Sequence, residues 1–593
     1  MTPPHLSVQP EKWIMLYGQG QHNALAQEML STLNALSATP LAGKVSEVRA
    51  FVDRVLELFL RLFTKDDFTP ERQFWHPFLQ FNELISNLAA FSTLKNTDQQ
   101  LSHLLGQRSQ LFKVLTLYSA RNTIRINPNV FFDADAALAS EWYVRFVDLH
   151  LSALVNPVSF EHLKLHLAAV DARFLGAHRV EEAYYGATYI DEGRDVDLKR
   201  LVNQSLQARF RMPALTPVPK RERPRIAVIS GAWREGHSVH KNQYPFLRAL
   251  TKDFDLSLFE LAPGQDRSLF QTAGPLEALS EGGLRSLGEG GFQMVYYPDI
   301  GMNGASIVLA NLRLAPIQVC SYGHSVSTFG SCIDYFIVGA ATEDRQRLSQ
   351  NYSERPVLIP GLGIISLVPT YAEQPRVPMK RKYVLIACPW SAQKCNVTNL
   401  TILAEIAAKS ALPIVYRFLV GPGVLRNSGH LPFAEDVRRI FGTNGAEVVL
   451  GQNYEQYMQN ITDCDFGVDS FHFGGCNSVV DLLYLNKPIV TLEGARWYGR
   501  IGAGILRSIG MEELVAQDTM TYQAIVARLV ADAVYRNEVS LRIKESNFAE
   551  SEVFQTRGAD GFVRAIHHLI NHHETLSREP LSREPGDRMI DIN

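Results

Sequence analysis

The chain is short of the features that would assign it quickly. Six cysteines in 593 residues (Cys320, Cys332, Cys388, Cys395, Cys464 and Cys476) form no CxxC pair, which argues against a disulfide framework and a zinc knuckle and for a reducing compartment. A formal charge of −3, from 58 basic and 61 acidic residues, gives no support to a nucleic-acid partner. No apolar run approaches the roughly 18 residues a membrane span needs. The opening MTPPHLSVQPEKW lacks the basic-then-apolar pattern of a secretion signal, so a cytoplasmic location is expected. The helical spacing of the first 200 residues carries no 34-residue self-similarity, which leaves a tetratricopeptide array unsupported. DVD (195–197) and DCD (463–465) are poor metal sites, because hard cations want several oxygens converging from one cavity. His162 and His166, four apart, lack a third ligand and read as a helix face. The histidines of HHLINHH near 567–573 read as a solvated helix end.

What is present is a change of period. Residues 11–205 show helical recurrence of apolar residues, as in VRAFVDRVLELFLRLF, FLQFNELISNLAAF and EWYVRFVDLHLSALV. The proline-rich, basic RMPALTPVPKRERPR (211–225) reads as a linker. Beyond it RIAVIS, FDLSLFEL, QMVYYP, PIQVCSYG and DYFIVG alternate with helical stretches. After a second break near 368–382, YVLIACP, PIVYRFLV, EVVLG, FGVDSF and PIVTLEG repeat the alternation. Alternating strands and helices indicate parallel, doubly wound sheets. The expected architecture is an all-α domain (1–210), a linker (211–224), two Rossmann-like α/β domains (225–375 and 376–560), and a terminal helix with a disordered tail (561–593). Ligands of such sheets bind beyond the carboxyl ends of the strands. The apolar stripes of the helical domain need a partner surface, and packing against the first sheet is expected.

The densest chemistry lies in FGVDSFHFGGCNSVVDLLYLNKPIVTLEG (466–494). It reads as a buried strand, a Gly-Gly turn and a helix opening at Cys476-Asn477-Ser478. Gly475 and the N–H groups of that helix start can receive an anion, and Asp481 lies one turn on, where a carboxylate can accept from a ribose. A tight turn with no ligand has the same sequence. His237 and His240, in GAWREGHSVHKN after strand RIAVIS, can act as a base or bond a phosphate or sugar hydroxyl, or be ordinary loop histidines. Gly323 permits close backbone approach, and His324 follows it at the end of PIQVCSYG as a site or turn residue. Lys394, after YVLIACP, can neutralise a departing diphosphate, although most lysines are simply exposed.

RLAPIQ followed by YGHSVSTFGSCIDYFIVG, with YYPDIGM, SAQKCN, FHFGGCN and EGARWYGRIGAGILRSIGMEELVA, resembles in order the signature shared by O-GlcNAc transferases and the bacterial HMW1C-like glycosyltransferases, over roughly 225 to 535. The non-repeat helical N-terminus, YPDIGM and FxFGxxN are closer to the HMW1C-like branch. The resemblance implies a GT-B fold and an inverting transfer of glucose from UDP-glucose to asparagine in Asn-x-Ser/Thr sequons of a polypeptide such as an adhesin, without cofactor or metal. It matches Lys394 to the diphosphate contact, Asn477 to the phosphate-binding helix start, Asp481 to the ribose-binding acid, His237 to the histidine of an HS loop and His324 to that of a GHPAT-type turn. The sequence departs from the family where a second histidine is common and Asn242 and Gln243 stand, where LGQN precedes Tyr454, and where FHFGGCN replaces FPFGNTN. Those departures leave an O-linked or different-sugar transferase as an alternative. A non-catalytic nucleotide- or peptide-binding subunit is the other, disfavoured because it has no need of Lys394, Asn477 and Asp481 together.

Overall fold

A computed structural model describes residues 9–105, 111–148, 151–169, 173–174, 180–210, 215, 218–219, 221–277, 280–323, 326–372, 381–556, 558–578 and 589–592. Up to residue 210 the described residues form helices and no strand. The longest early helix, Val45–Phe63, buries Val48, Phe51, Val52, Val55, Phe59 and Leu62, the three- and four-residue spacing of one helix face. His162 and His166 are interior residues of this region. His166 lies between the rings of Tyr143 and Phe146, with centroids 4.1 and 4.2 Å away, and its Nε2 meets the Tyr143 carbonyl at 3.0 Å. His162 Nε2 pairs with the Tyr118 hydroxyl at 2.8 Å.

The chain divides into two compact units. The first combines residues 1–195 with 387–409 and 413–457. Within it, Arg121 Nη1 donates to Asp436 Oδ2 at 3.1 Å, Asn427 donates to the buried Glu83, His430 Nε2 meets the Leu41 carbonyl at 3.0 Å, and Val397 N–H donates to the Leu154 carbonyl at 2.9 Å. The last helix of the region, Asp195–Arg209, reaches loops beside the first sheet. Asn203 of that helix donates to the Thr328 carbonyl at 2.6 Å, and Gln207 donates to Asn311 Oδ1 at 2.9 Å. The earlier helices are built together with part of the second α/β region. An apolar stripe announces that a helix needs a partner and does not say which one.

The strands are β1 (Arg225–Ser230), β2 (Asp255–Glu260), β3 (Thr272–Pro275), β4 (Met294–Tyr297), β5 (Ile317–Ser321), β6 (Tyr335–Gly339), β7 (Arg355–Ile359), β8 (Val384–Cys388), β9 (Ile414–Leu419), β10 (Ala446–Val449), β11 (Phe466–Val468), β12 (Ile489–Leu492), β13 (Val515–Ala516) and β14 (Ile590–Asp591). One sheet has the order β14-β7-β6-β5-β4-β1-β2-β3, the other β10-β9-β8-β11-β12-β13. The strand pairs are parallel, with Ile226 opposite Leu256 and Met294. Their near-continuous apolar sequences follow from burial on both faces. The all-α region and two parallel sheets are the expected fold class.

The terminal helix Gly558–Arg578 brings Phe562, Ala565, Ile566 and Leu569 into one core with Ile226, Val228 and Tyr296 of the first sheet. The tandem LSREP tail falls mostly on 579–588, outside the described residues. Its end is not the disordered segment expected from polarity: Ile590 and Asp591 pair with Val357 and Leu358 of β7, because an edge strand offers unpaired backbone groups to whatever chain arrives.

Candidate active site

Sheet order fixes where ligand chemistry can sit. In the second sheet the order reverses between β8 and β11; in the first it reverses between β1 and β4, where such a switch point opens a crevice beyond the carboxyl ends of the strands. The loops leaving these four strands carry His237, Asp299, Lys394 and the Gly-Gly turn.

The turn after β11 is built on a carboxylate. Asp469 is 1% exposed. Its Oδ1 accepts from Ser470 N–H at 2.9 Å and Gly475 N–H at 2.7 Å, and its Oδ2 from Thr491 Oγ1 at 3.1 Å. Gly474 N–H donates to the Tyr498 carbonyl at 2.9 Å, while Phe473 stacks on Tyr498 with centroids 4.4 Å apart. A Cβ on Gly475 would stand 2.1 Å from Ser478 Oγ and 3.0 Å from Asp469 Oδ1, so glycine is a packing requirement there. The helix Asn477–Tyr484 follows, with Cys476 as its N-cap residue and no side-chain cap. Asn477 and Ser478 open the helix, Val480 N–H is the donor that returns to the Cys476 carbonyl at 3.0 Å, and Asp481 is buried at 7% exposure. An uncapped helix start with backbone donors and a positive dipole end suits a phosphate.

His237 caps the helix Ser238–Leu250: its Nδ1 accepts from Val239 N–H at 3.2 Å. Burial, then the charge of Arg234, then His240, hold its pKa below the ordinary histidine value. A neutral ring whose Nδ1 accepts carries its proton on Nε2. His237 in this state is therefore a hydrogen-bond donor toward a ligand and not a base. His240 is interior, 4% exposed. Its Nε2 pairs with Asp266 Oδ2 at 2.9 Å and its ring packs on Trp233 and Tyr244.

The two positions where the sequence departs from a second histidine hold the site together. Asn242 Nδ2 reaches Cys476 Sγ at 3.8 Å, while its Oδ1 accepts from Ser366 Oγ at 3.2 Å. Gln243 is fully buried; its Nε2 donates to the Tyr322 carbonyl at 2.8 Å and its Oε1 accepts from Tyr296 and Ser321 hydroxyls at 3.1 and 3.2 Å. Gln243 thus holds the turn that leads into Gly323, where a Cβ would fall 1.6 Å from the Pro298 carbonyl. His324 lies outside the described residues. Tyr322 stacks on Trp497 at 4.3 Å.

Asp299, after β4, was not singled out by sequence. It is 1% exposed; its Oδ2 accepts from Gly231 N–H at 2.9 Å, and its Oδ1 is buried and accepts no hydrogen bond. Burial pushes its carboxyl up to about 6, against the lowering effect of the Gly231 bond. The signal was its place in YYPDIGM at the end of a strand.

Lys394 belongs to the first unit. It closes a short helical turn, Ala392–Lys394, after β8 and is half-buried; its carbonyl accepts from Asn399 Nδ2 at 3.2 Å. The discounted motifs have structural partners: Asp465 of DCD accepts from Leu385 N–H at 2.8 Å, and His573 meets the Tyr335 hydroxyl at 3.0 Å. Among the described residues no three His, Cys, Asp or Glu side chains gather to hold a metal, and no helix is long and apolar enough to cross a membrane.

The sequence profile of glycosyl transferase family 41 matches residues 454–560, the segment holding the Gly-Gly turn and its helix. Over those residues the chain resembles glycosyl transferase family 41. A UDP-glucose:protein N-beta-glucosyltransferase of Actinobacillus pleuropneumoniae serotype 5b is 22% identical over 501 residues, 79% of this chain and 78% of that protein. The serotype 7 protein of the same name is 27% identical over 274 residues, 44% of this chain and 42% of its own length. A solved mutant O-GlcNAc transferase from Thermobaculum terrenum shares the fold, with a TM-score of 0.58 at 16% identity over 90% of this chain and all of the other. The family 41 resemblance and the GT-B fold class read from the sequence are both met.

Proposed function

We propose that this chain is an inverting protein N-glucosyltransferase, moving glucose from UDP-glucose to asparagine in Asn-x-Ser/Thr sequons of a polypeptide such as an adhesin, in the cytoplasm and without a metal. The observation that carries the reading is the uncapped helix start at Asn477, set behind a glycine turn anchored by Asp469 at the switch point of the second sheet. The names of the Actinobacillus relatives support the choice of donor and acceptor.

In this reading the helix start of Gly475, Cys476, Asn477 and Ser478 receives the UDP diphosphate, Lys394 neutralises it, and Asp481 accepts from the ribose. The acceptor amide nitrogen forms a bond to the anomeric carbon as the bond from that carbon to the diphosphate oxygen breaks, and the amide proton passes to solvent or to the departing diphosphate. Negative charge develops on the departing UDP, where Lys394 and the helix dipole lower its energy. His237 donates through Nε2–H to the acceptor or a sugar hydroxyl; Gly323, and His324 by the resemblance alone, are assigned to acceptor or sugar positioning. His240 supports this end from the interior through Asp266.

The test is to incubate the full chain with separate UDP-sugars and two peptides, one with an Asn-x-Thr sequon and one with serine and threonine but no sequon, in excess EDTA. The modified atom is located by mass spectrometry. Glucose on asparagine is the expected product. Transfer to serine or threonine alone would establish the O-linked alternative, and loss of activity in EDTA with rescue by Mg²⁺ or Mn²⁺ would refute the metal-free mechanism.

A further inference from the structure

Where the N-terminal helices meet the helix His430–Phe441, all within the first unit, lies an open cavity of about 580 Å³. That is the size of a small-molecule site, typically about 300–1,000 Å³. Its lining is unbalanced in charge: Lys95, Arg121, Arg438 and Arg439 against Glu435 and Asp436. Both acids are already engaged. Asp436 accepts from Arg121 at 3.1 Å, Arg439 at 2.7 Å and Asn156 at 3.3 Å, and Glu435 pairs with Arg49 from outside the lining. Lys95 and Arg438 have no acidic partner among the described residues. Arg121 is 7% exposed and uses Nη1 on Asp436, while its Nε and Nη2 are enclosed without a hydrogen bond.

The field of a guanidinium held this deeply is less screened than that of a surface group. Two further cations at the rim, Lys95 and Arg438, are exposed and able to turn toward an occupant. Surplus positive charge around a concave, half-apolar space is the setting for a compact dianion with a body attached. We propose that this cavity binds a phosphate monoester of small-metabolite size, at a site built independently of the glycine turn. Phosphate takes charge-assisted bonds from Arg and Lys, and the volume leaves room for a hexose beyond it.

The experiment uses the full chain with UDP in saturating excess, so that the helix start at Asn477 is filled and does not compete. Inorganic phosphate and glucose 6-phosphate are titrated separately by calorimetry, each against sodium chloride at matched ionic strength. Saturable binding is expected for both. Tighter binding of glucose 6-phosphate identifies a sugar phosphate as occupant, and equal affinity identifies the free ion. The double variant Lys95→Gln/Arg438→Gln, altered at two exposed positions, should bind either probe about tenfold more weakly with its melting temperature and UDP affinity unchanged. Absence of saturable heat, or undiminished affinity in the double variant, would overturn the proposal.

Discussion

Two loop regions of the second unit are made differently. The turn after β11 is built from backbone: glycines at 474 and 475 packed against Asp469, then an uncapped helix. The region after β1 and β4 is built from side chains: His237 capping its own helix, Gln243 holding Tyr322, Asp299 holding Gly231. A diphosphate is common to every UDP-sugar, and backbone donors can bind it whatever sugar it carries. Hydroxyls and an acceptor amide differ between substrates, and reading them takes side chains. Departures from the family pattern fall at both ends, at Asn242 and Gln243 on the side-chain-built one and in FHFGGCN at the glycine turn.

The largest effect should come from the charge expected at the diphosphate. Lys394→Ala should lower turnover by about 10²–10³-fold, a cost of about 2.7–4 kcal/mol by analogy with removed oxyanion donors, in a protein that still folds. Steady-state transfer kinetics check this, and near-normal turnover in a folded variant would remove Lys394 from the mechanism. Asp469→Ala leaves two backbone N–H groups and the Thr491 hydroxyl without their acceptor, each a loss of roughly 1–3 kcal/mol where burial keeps water out. Its unfolding midpoint should fall by several degrees, and UDP binding should weaken because the turn is no longer held. If stability falls while UDP affinity stays, the turn is structural only.

Asp299→Asn probes the other end with the opposite sign. The native carboxyl is raised to about 6 from 3.8, so the folded state binds more protons than the unfolded one between those values, and stability falls as pH rises through that window. At pH 8 the charged carboxylate costs about 3 kcal/mol. The variant should therefore be more stable than the parent at pH 8, by up to that amount, and nearly equal to it at pH 4. Denaturant midpoints at the two pH values decide the matter; destabilisation at pH 8 would show that the carboxylate is held by contacts beyond Gly231.

A smaller effect belongs to the helical region. Burial holds His166 down to about 3, so the unfolded chain takes up a proton below about 6.5 that the folded one refuses. By itself this lowers stability by about 1.4 kcal/mol per pH unit between pH 6 and pH 4, a fall that the raised Asp299 carboxyl opposes over the same window. Asp299→Asn should therefore expose the fall as a steeper slope, and adding His166→Phe to that variant should flatten it.

The contrast between the two ends also explains what was legible in the sequence. The glycine turn, the helix at Asn477 and most strands were readable because glycine, apolar runs and turn residues act locally. Short strands with weak local signals were not: β3 is TAGP, half exposed with glycine and proline, and β7 contains Pro356, which weakens a strand signal. Asp469 looked like any residue at a strand end until Thr491 and Gly475 came to it. Gln243 and Asn242 looked like losses of a histidine, because Tyr322 is 79 residues from one and Cys476 is 234 from the other. His240 looked as available as His237 until its Asp266 partner was seen.

The central claim is that the helix beginning at Asn477 is a nucleotide-diphosphate site with Asp481 on the ribose. Calorimetric titration of UDP into the full chain and into Asp481→Asn tests it most directly. The account predicts saturable one-to-one binding, weakened about tenfold or more in the variant, since a bond to a charged acceptor is worth roughly 1.5–3 kcal/mol, with the melting temperature little changed. No saturable binding by the parent, or equal affinity in a folded Asp481→Asn variant, would contradict it.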